Sequence, residues 1–163
     1  MIKIEDLKRI NMLSNMPDHL LKIISEVAQL NIYDKDSLLF SQGEKGENID
    51  IFYMIVMGQV ELKVPLDEDI DVVFDILQAG RSLGSSAMFS NAKASYTAIC
   101  QEPCEIITLK GKTLQDLFND NKEIGYYLMA GVAGQYKRNM DRRLRMILKT
   151  LEKHPELQHR VKY

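Results

Sequence analysis

Gly84-Ser85-Ser86-Ala87-Met88-Phe89, with Ala94-Ser95 ten residues beyond the glycine, is the stretch whose reading decides the fold. A glycine followed by small residues marks a tight corner.

Working outward, residues 31–110 carry short apolar runs broken at glycines. Leu38-Leu39-Phe40 precedes Gln42-Gly43, Ile51 to Val56 precedes Met57-Gly58, and Val72 to Leu77 precedes Gln78-Ala79-Gly80. Val60, Leu62 and Val64 alternate with Glu61 and Lys63, and Tyr96 to Cys100 and Ile106 to Leu109 close the series. Strands at intervals of roughly 8–12 residues with glycine corners predict an antiparallel barrel or sandwich.

Helical texture flanks this region. Leu20, Leu21, Ile23, Ile24, Val27 and Leu30 recur at helical spacing after Pro17, with Ser14 or Asn15 near the start. Downstream, Leu114, Leu117 and Phe118 predict a short helix ending near residues 119–121. A long helix is then expected from about Lys122 to Lys153, where Pro155 discourages continuation. Along it Met129, Ala133, Tyr136, Met140, Leu144, Ile147 and Leu151 form a narrow seam of the kind two helices use to pair. Its first turns suit packing on the chain's own barrel, and its far end suits a second copy of the chain. Lys137, Arg138, Arg142, Arg143 and Arg145 occupy the opposite face.

Composition narrows the function. The 163 residues, 45% hydrophobic and 27% charged with a net charge of -2, fit one α+β domain and argue against a dedicated nucleic-acid surface. No apolar run approaches the roughly 18 residues that span a bilayer, and the charged start at Met1 to Asp6 is unlike a secretory signal. The expected location is cytoplasmic, with no membrane partner. Cys100 and Cys104 flank the turn signal Glu102-Pro103 and read as two half-buried thiols or as a thiol switch. Two cysteines, together with His19, His154 and His159, lack the clustering of a metal site. No nucleophile elbow, P-loop or paired-histidine helix marks an enzyme.

The order of these segments resembles the cyclic-nucleotide-binding domain family, most closely the sensor half of bacterial regulators such as the catabolite activator protein. The matching residues are Leu39 to Glu44, Tyr53 to Val60, Leu77 to Gly84 and Cys104 to Leu109, and the resemblance runs from about Leu13 to Leu151. It implies N-terminal helices over residues 1–30, a jelly-roll-like β-roll over 31–110, hinge and dimerisation helices over 111–153, and a tail over 154–163. The family places a winged helix-turn-helix of on the order of 50–70 residues after the long helix in its transcription regulators. Only the short stretch 154–163 follows here, so direct DNA reading is not expected.

The resemblance also implies a ligand site. Its phosphate-binding cassette carries a glutamate after the glycine for a ribose hydroxyl and an arginine about ten positions on for the cyclic phosphate. Those positions hold Ser85 and Ala94. Gly84, Ser85, Ser86 and Ser95 are therefore the candidate ligand residues, joined by Asn139 at the base-contacting place of the long helix. Met140 beside it reads as dimer core. Lys93 is expected to turn away, since strand neighbours face opposite sides. Losing two charge-assisted contacts makes ordinary cyclic AMP binding doubtful. Two readings stand: a homodimeric regulatory sensor of a cyclic nucleotide or other small anionic ligand, acting on a protein effector, or a ligand-free adaptor whose pocket is filled by its own side chains, Tyr96 or Phe89.

Overall fold

The computed structural model describes residues 2–46, 49–67, 70–88 and 93–158. Two helices, α1 (Ile4–Lys8) and α2 (Asp18–Val27), lead into eight strands. These are β1 (Gln29–Tyr33), β2 (Leu38–Phe40), β3 (Ile51–Met57), β4 (Gln59–Asp67), β5 (Ile70–Gln78), β6 (Ser82–Leu83), β7 (Thr97–Cys100) and β8 (Cys104–Lys110). They form two four-stranded antiparallel sheets, ordered β1-β8-β3-β6 and β2-β7-β4-β5. A 3-10 turn, Ser85–Met88, follows β6. Helices α3 (Gly111–Asp120) and α4 (Lys122–Lys153) complete the fold, and one further turn, α5 (Pro155–Gln158), begins at the proline that stops α4. The α+β β-roll expected from the sequence is the observed architecture.

Strands β3 and β8 have apolar neighbours on both faces, which explains their unbroken hydrophobic runs. Phe52, Met54, Ile107 and Leu109 join one buried cluster with α1, α2, α3 and α4. Tyr53, Ile55 and Ile106 join a second cluster inside the roll with Val60, Leu62 and Leu77. β4 has one solvated face, so Val60 and Leu62 alternate with the less buried Glu61 and Lys63.

Four local expectations change. The second helix ends at Val27, and Leu30 lies in β1, half-exposed and paired with Ile107. Strand pairing overrides the helical spacing there. The helix starts after Pro17, which caps it without a side-chain hydrogen bond, and Ser14 instead donates to the Asn11 carbonyl. Helix α4 packs on the roll and α3 through Ile124, Leu128 and Val132, a stripe beside the seam. The seam is open even in the first turns, where Met129 is exposed. Finally, Cys100 and Cys104 are both fully buried, and burial, reinforced by Cys104, pushes the Cys100 thiol up to about 12. A thiol this buried and this hard to ionise is inert, which removes the basis for a redox switch.

Among the described residues no group of His, Cys, Asp and Glu could hold a metal, and no helix is long and apolar enough to cross a membrane. Phe89 and His159 lie outside the described residues.

Candidate functional site

The corner at Gly84 is built by its neighbours. β6 pairs with β3 through Leu83 and Ser82, and Gly84 turns the chain away at φ +76°. The Gly84 carbonyl accepts from Ala87 N at 3.0 Å and starts the 3-10 turn. Gly84 is buried, Ser85 and Ser86 are half-buried, and Ser95 is exposed across the gap. All four line one small cavity of about 70 Å³, together with Ala94, which is 8% exposed. Asn139, on α4, is not among them, but it shares a larger cavity with Ser85 and Ser95.

Two tyrosines occupy the mouth of this corner. Tyr136, from α4, shares a 2.8 Å hydrogen bond with Ser85 Oγ. Tyr96 lies between Phe40 and Phe74, each ring centroid 5.6 Å away. With Gly84, Ser85 and Tyr136 it lines the small cavity. Burial pushes the Tyr96 phenol up to about 12. The serine hydroxyl that a phosphate would use is thus already engaged, and the small cavity itself holds only a few waters, while Ser85 and Ser95 also border a larger cavity. Lys93 corrects one expectation: it precedes β7, so strand alternation does not apply, and it lines this small cavity while staying exposed.

A second cavity of about 800 Å³ opens between the roll and α4. Its wall is mainly apolar, from Leu62, Phe74 and Leu77 on the roll and Tyr136, Met140 and Ile147 on α4. Arg143 stands at its edge with Cζ 5.0 Å from the Phe74 ring centroid, a cation–π contact that sets it apart from the solvated basic face where the sequence put it. Behind the cavity, Asp75 is ion-paired with Arg142, and Gln135 both accepts from Ser82 Oγ at 2.7 Å and donates to the Ser82 carbonyl at 2.8 Å. Asn139 Oδ1 accepts from Arg81 at 2.7 Å. These contacts fasten the middle of α4 to β5 and β6. Sequence reasoning missed Phe74, Asp75, Gln135 and Arg81, because each meets a partner between the roll and α4 that lies more than fifty residues away.

The family model for the cyclic nucleotide-binding domain matches residues 30–121. The chain belongs to this family. A cyclic nucleotide-binding domain from Methylobacillus flagellatus superposes with a TM-score of 0.73 at 17% identity, over 88% of this chain and 83% of that one. The catabolite activator protein of Thermus thermophilus gives a TM-score of 0.68 at 18% identity, over 84% of this chain and 62% of that one. In sequence, the cGMP-dependent protein kinase egl-4 of Caenorhabditis briggsae is 26% identical over 116 residues, 70% of this chain. Human cGMP-dependent protein kinase 2 is 24% identical over 129 residues, 78% of this chain. The chain spans 15% and 16% of the length of those two kinases.

The tyrosines give this cyclic nucleotide-binding domain an alkaline signature. Tyr96 has a folded pKa above its ordinary value of 10.0, so its contribution to stability is complete below pH 10 and fades as pH rises towards about 12. Burial raises the Tyr53 and Tyr33 phenols as well, so they add to the same decline. The urea midpoint is expected to fall steadily between pH 10 and 12, and Tyr96→Phe is expected to flatten part of that fall. An unchanged slope in the variant would show that Tyr96 is open to solvent.

Proposed function

We propose that this domain is a regulatory ligand-sensing module whose ligand is something other than an ordinary cyclic nucleotide. The observation that carries the reading is the filled cassette: Tyr136 engages Ser85, Tyr96 lines the same corner, and buried Ala94 offers no charge. The ligand instead sits in the larger cavity, whose volume falls within the roughly 300–1,000 Å³ usual for small molecules. Its apolar wall with Arg143 at the edge suits an aromatic body bearing at most one negative charge, and Ser95 and Asn139 supply hydrogen-bonding groups. The ligand-free adaptor draws support from the same two tyrosines, since a self-filled corner needs nothing added. A panel of aromatic carboxylates and nucleosides, screened by thermal unfolding, separates the two. A hit abolished by Leu77→Trp supports the sensor, and a silent panel leaves the adaptor.

The module acts as a homodimer in this reading. Tyr136, Met140, Leu144 and Ile147 are exposed on the α4 seam and also line the cavity, so a second copy along the seam would cover both. Light scattering is expected to give twice the chain mass of 18.7 kDa. Met140→Glu combined with Leu144→Glu is expected to return the monomer with the roll intact, because neither side chain is in the buried core. A monomeric parent would sink the dimer.

A further inference from the structure

On the other flank of α4 the structure holds a second, strongly basic pocket of about 470 Å³. Arg138, Arg142 and Arg145 reach it from α4, and Arg81 reaches it from the corner before β6. Four guanidinium groups face one carboxylate, Asp141, which Lys137 already holds at 2.9 Å. Arg142 is shared with Asp75, and among the described residues the Arg81 side chain is tied to the neutral Asn139. Among the described residues, Arg81, Arg138 and Arg145 have no carboxylate within ion-pair distance.

A merely solvated helix face does not look like this. Lys137 and Asp141 make the stabilising opposite-charge pair at a spacing of four, but Arg138 and Arg142 repeat the same charge at that spacing, which is unfavourable without an anion between them. Arg81, moreover, is half-buried, and burial together with the Arg142 and Arg138 charges holds its pKa below the ordinary value, against a smaller opposing pull from Asp75. The pocket therefore keeps like charges close together in a partly desolvated place, a repulsion that a bound anion relieves.

We infer that this pocket binds a phosphate-bearing small molecule carrying two or more negative charges. Planar guanidinium forks meet phosphate oxygens two at a time, and donors from two separate elements define a concave seat for them. The site opens on the other flank of α4 from the cavity proposed above for the ligand, with which it shares two lining residues. Each of its helix arginines sits two residues from a seam position, about 200° around the helix, so a second copy on the seam leaves it open. Gln135 and Asn139 line both cavities, and an anion that draws Arg81 away frees the Asn139 carbonyl toward the larger one.

Pyrophosphate is the probe. Calorimetric titration of the full chain at about 0.15 M KCl is expected to show saturable binding, with sulfate at matched ionic strength far weaker. Arg138→Gln and Arg145→Gln change exposed side chains, so the fold is kept, and each is expected to weaken pyrophosphate about tenfold. Vesicles with and without phosphoinositide give the source: capture that pyrophosphate competes away assigns the phosphate to a lipid headgroup, and no capture assigns it to a soluble molecule. Equal binding of sulfate and pyrophosphate, unchanged affinity in both variants, or binding of a single-stranded oligonucleotide without pyrophosphate binding would overturn the inference.

Discussion

Gly84→Ala is expected to lower stability by about 2–5 kcal/mol, measured as a shift in the urea midpoint. Two costs add. The residue sits at φ +76°, a left-handed conformation that costs a side-chain-bearing residue about 1–2 kcal/mol. A Cβ there would also overlap the Ile51 carbonyl oxygen and come within 3.1 Å of Tyr53 Cδ2. Neither neighbour can move, because Ile51 of β3 pairs with Lys110 of β8 and Tyr53 is 2% exposed in the roll interior. Overpacking of this kind costs about 1–3 kcal/mol. Gly46→Ala is the control: its φ is +116°, but a Cβ there meets nothing within 4 Å, so only the backbone cost applies. Equal losses at the two positions would mean that β3 gives way and that the Gly84 corner is not rigid.

Arg142→Leu is expected to cost about 3 kcal/mol, more than Asp75→Leu. The Asp75 side chain is 4% exposed, whereas the Arg142 side chain is 35% exposed. Removing the arginine leaves a carboxylate stranded in the interior, and breaking a buried pair this way typically costs about 3–5 kcal/mol. Solvent at Arg142 trims the figure to the lower end. Removing the aspartate leaves a long cation that can swing into water, at a cost of about 1 kcal/mol or less. The double replacement Asp75→Leu/Arg142→Leu should recover most of the loss. The reverse order of the single variants would show that packing, not charge, fastens α4 to β5.

Much of this was legible in the chain itself. The runs of β3 and β8, the turn at Gly84 and the span of α4 follow from local chemistry: apolar continuity, a residue without Cβ, and a proline stop. The loss of charge at Ser85 and Ala94 could be read because both positions are fixed by spacing from the glycine. Tyr96 could be named as a plug, since it directly follows Ser95. Tyr136 could not, because its seam spacing gave it a sufficient role, and its bond to Ser85 spans 51 residues. The Asp75–Arg142 pair spans 67 residues and left no local trace. For the same reason the basic face of α4 looked solvated until Arg81 was found opposite it. Leu30 misled in the other direction, as its spacing continued a helix that strand pairing had already ended.

The filled cassette is tested most directly by thermal unfolding with and without 1 mM cyclic AMP or cyclic GMP. A ligand with Kd near 10 μM would add roughly 2.7 kcal/mol, or roughly 5–11 °C for a chain of this size. The account predicts no shift with either nucleotide. A rise of several degrees that Tyr136→Phe enlarges would contradict it, showing that the tyrosines yield to a cyclic phosphate and that the corner at Gly84 is still a working phosphate site.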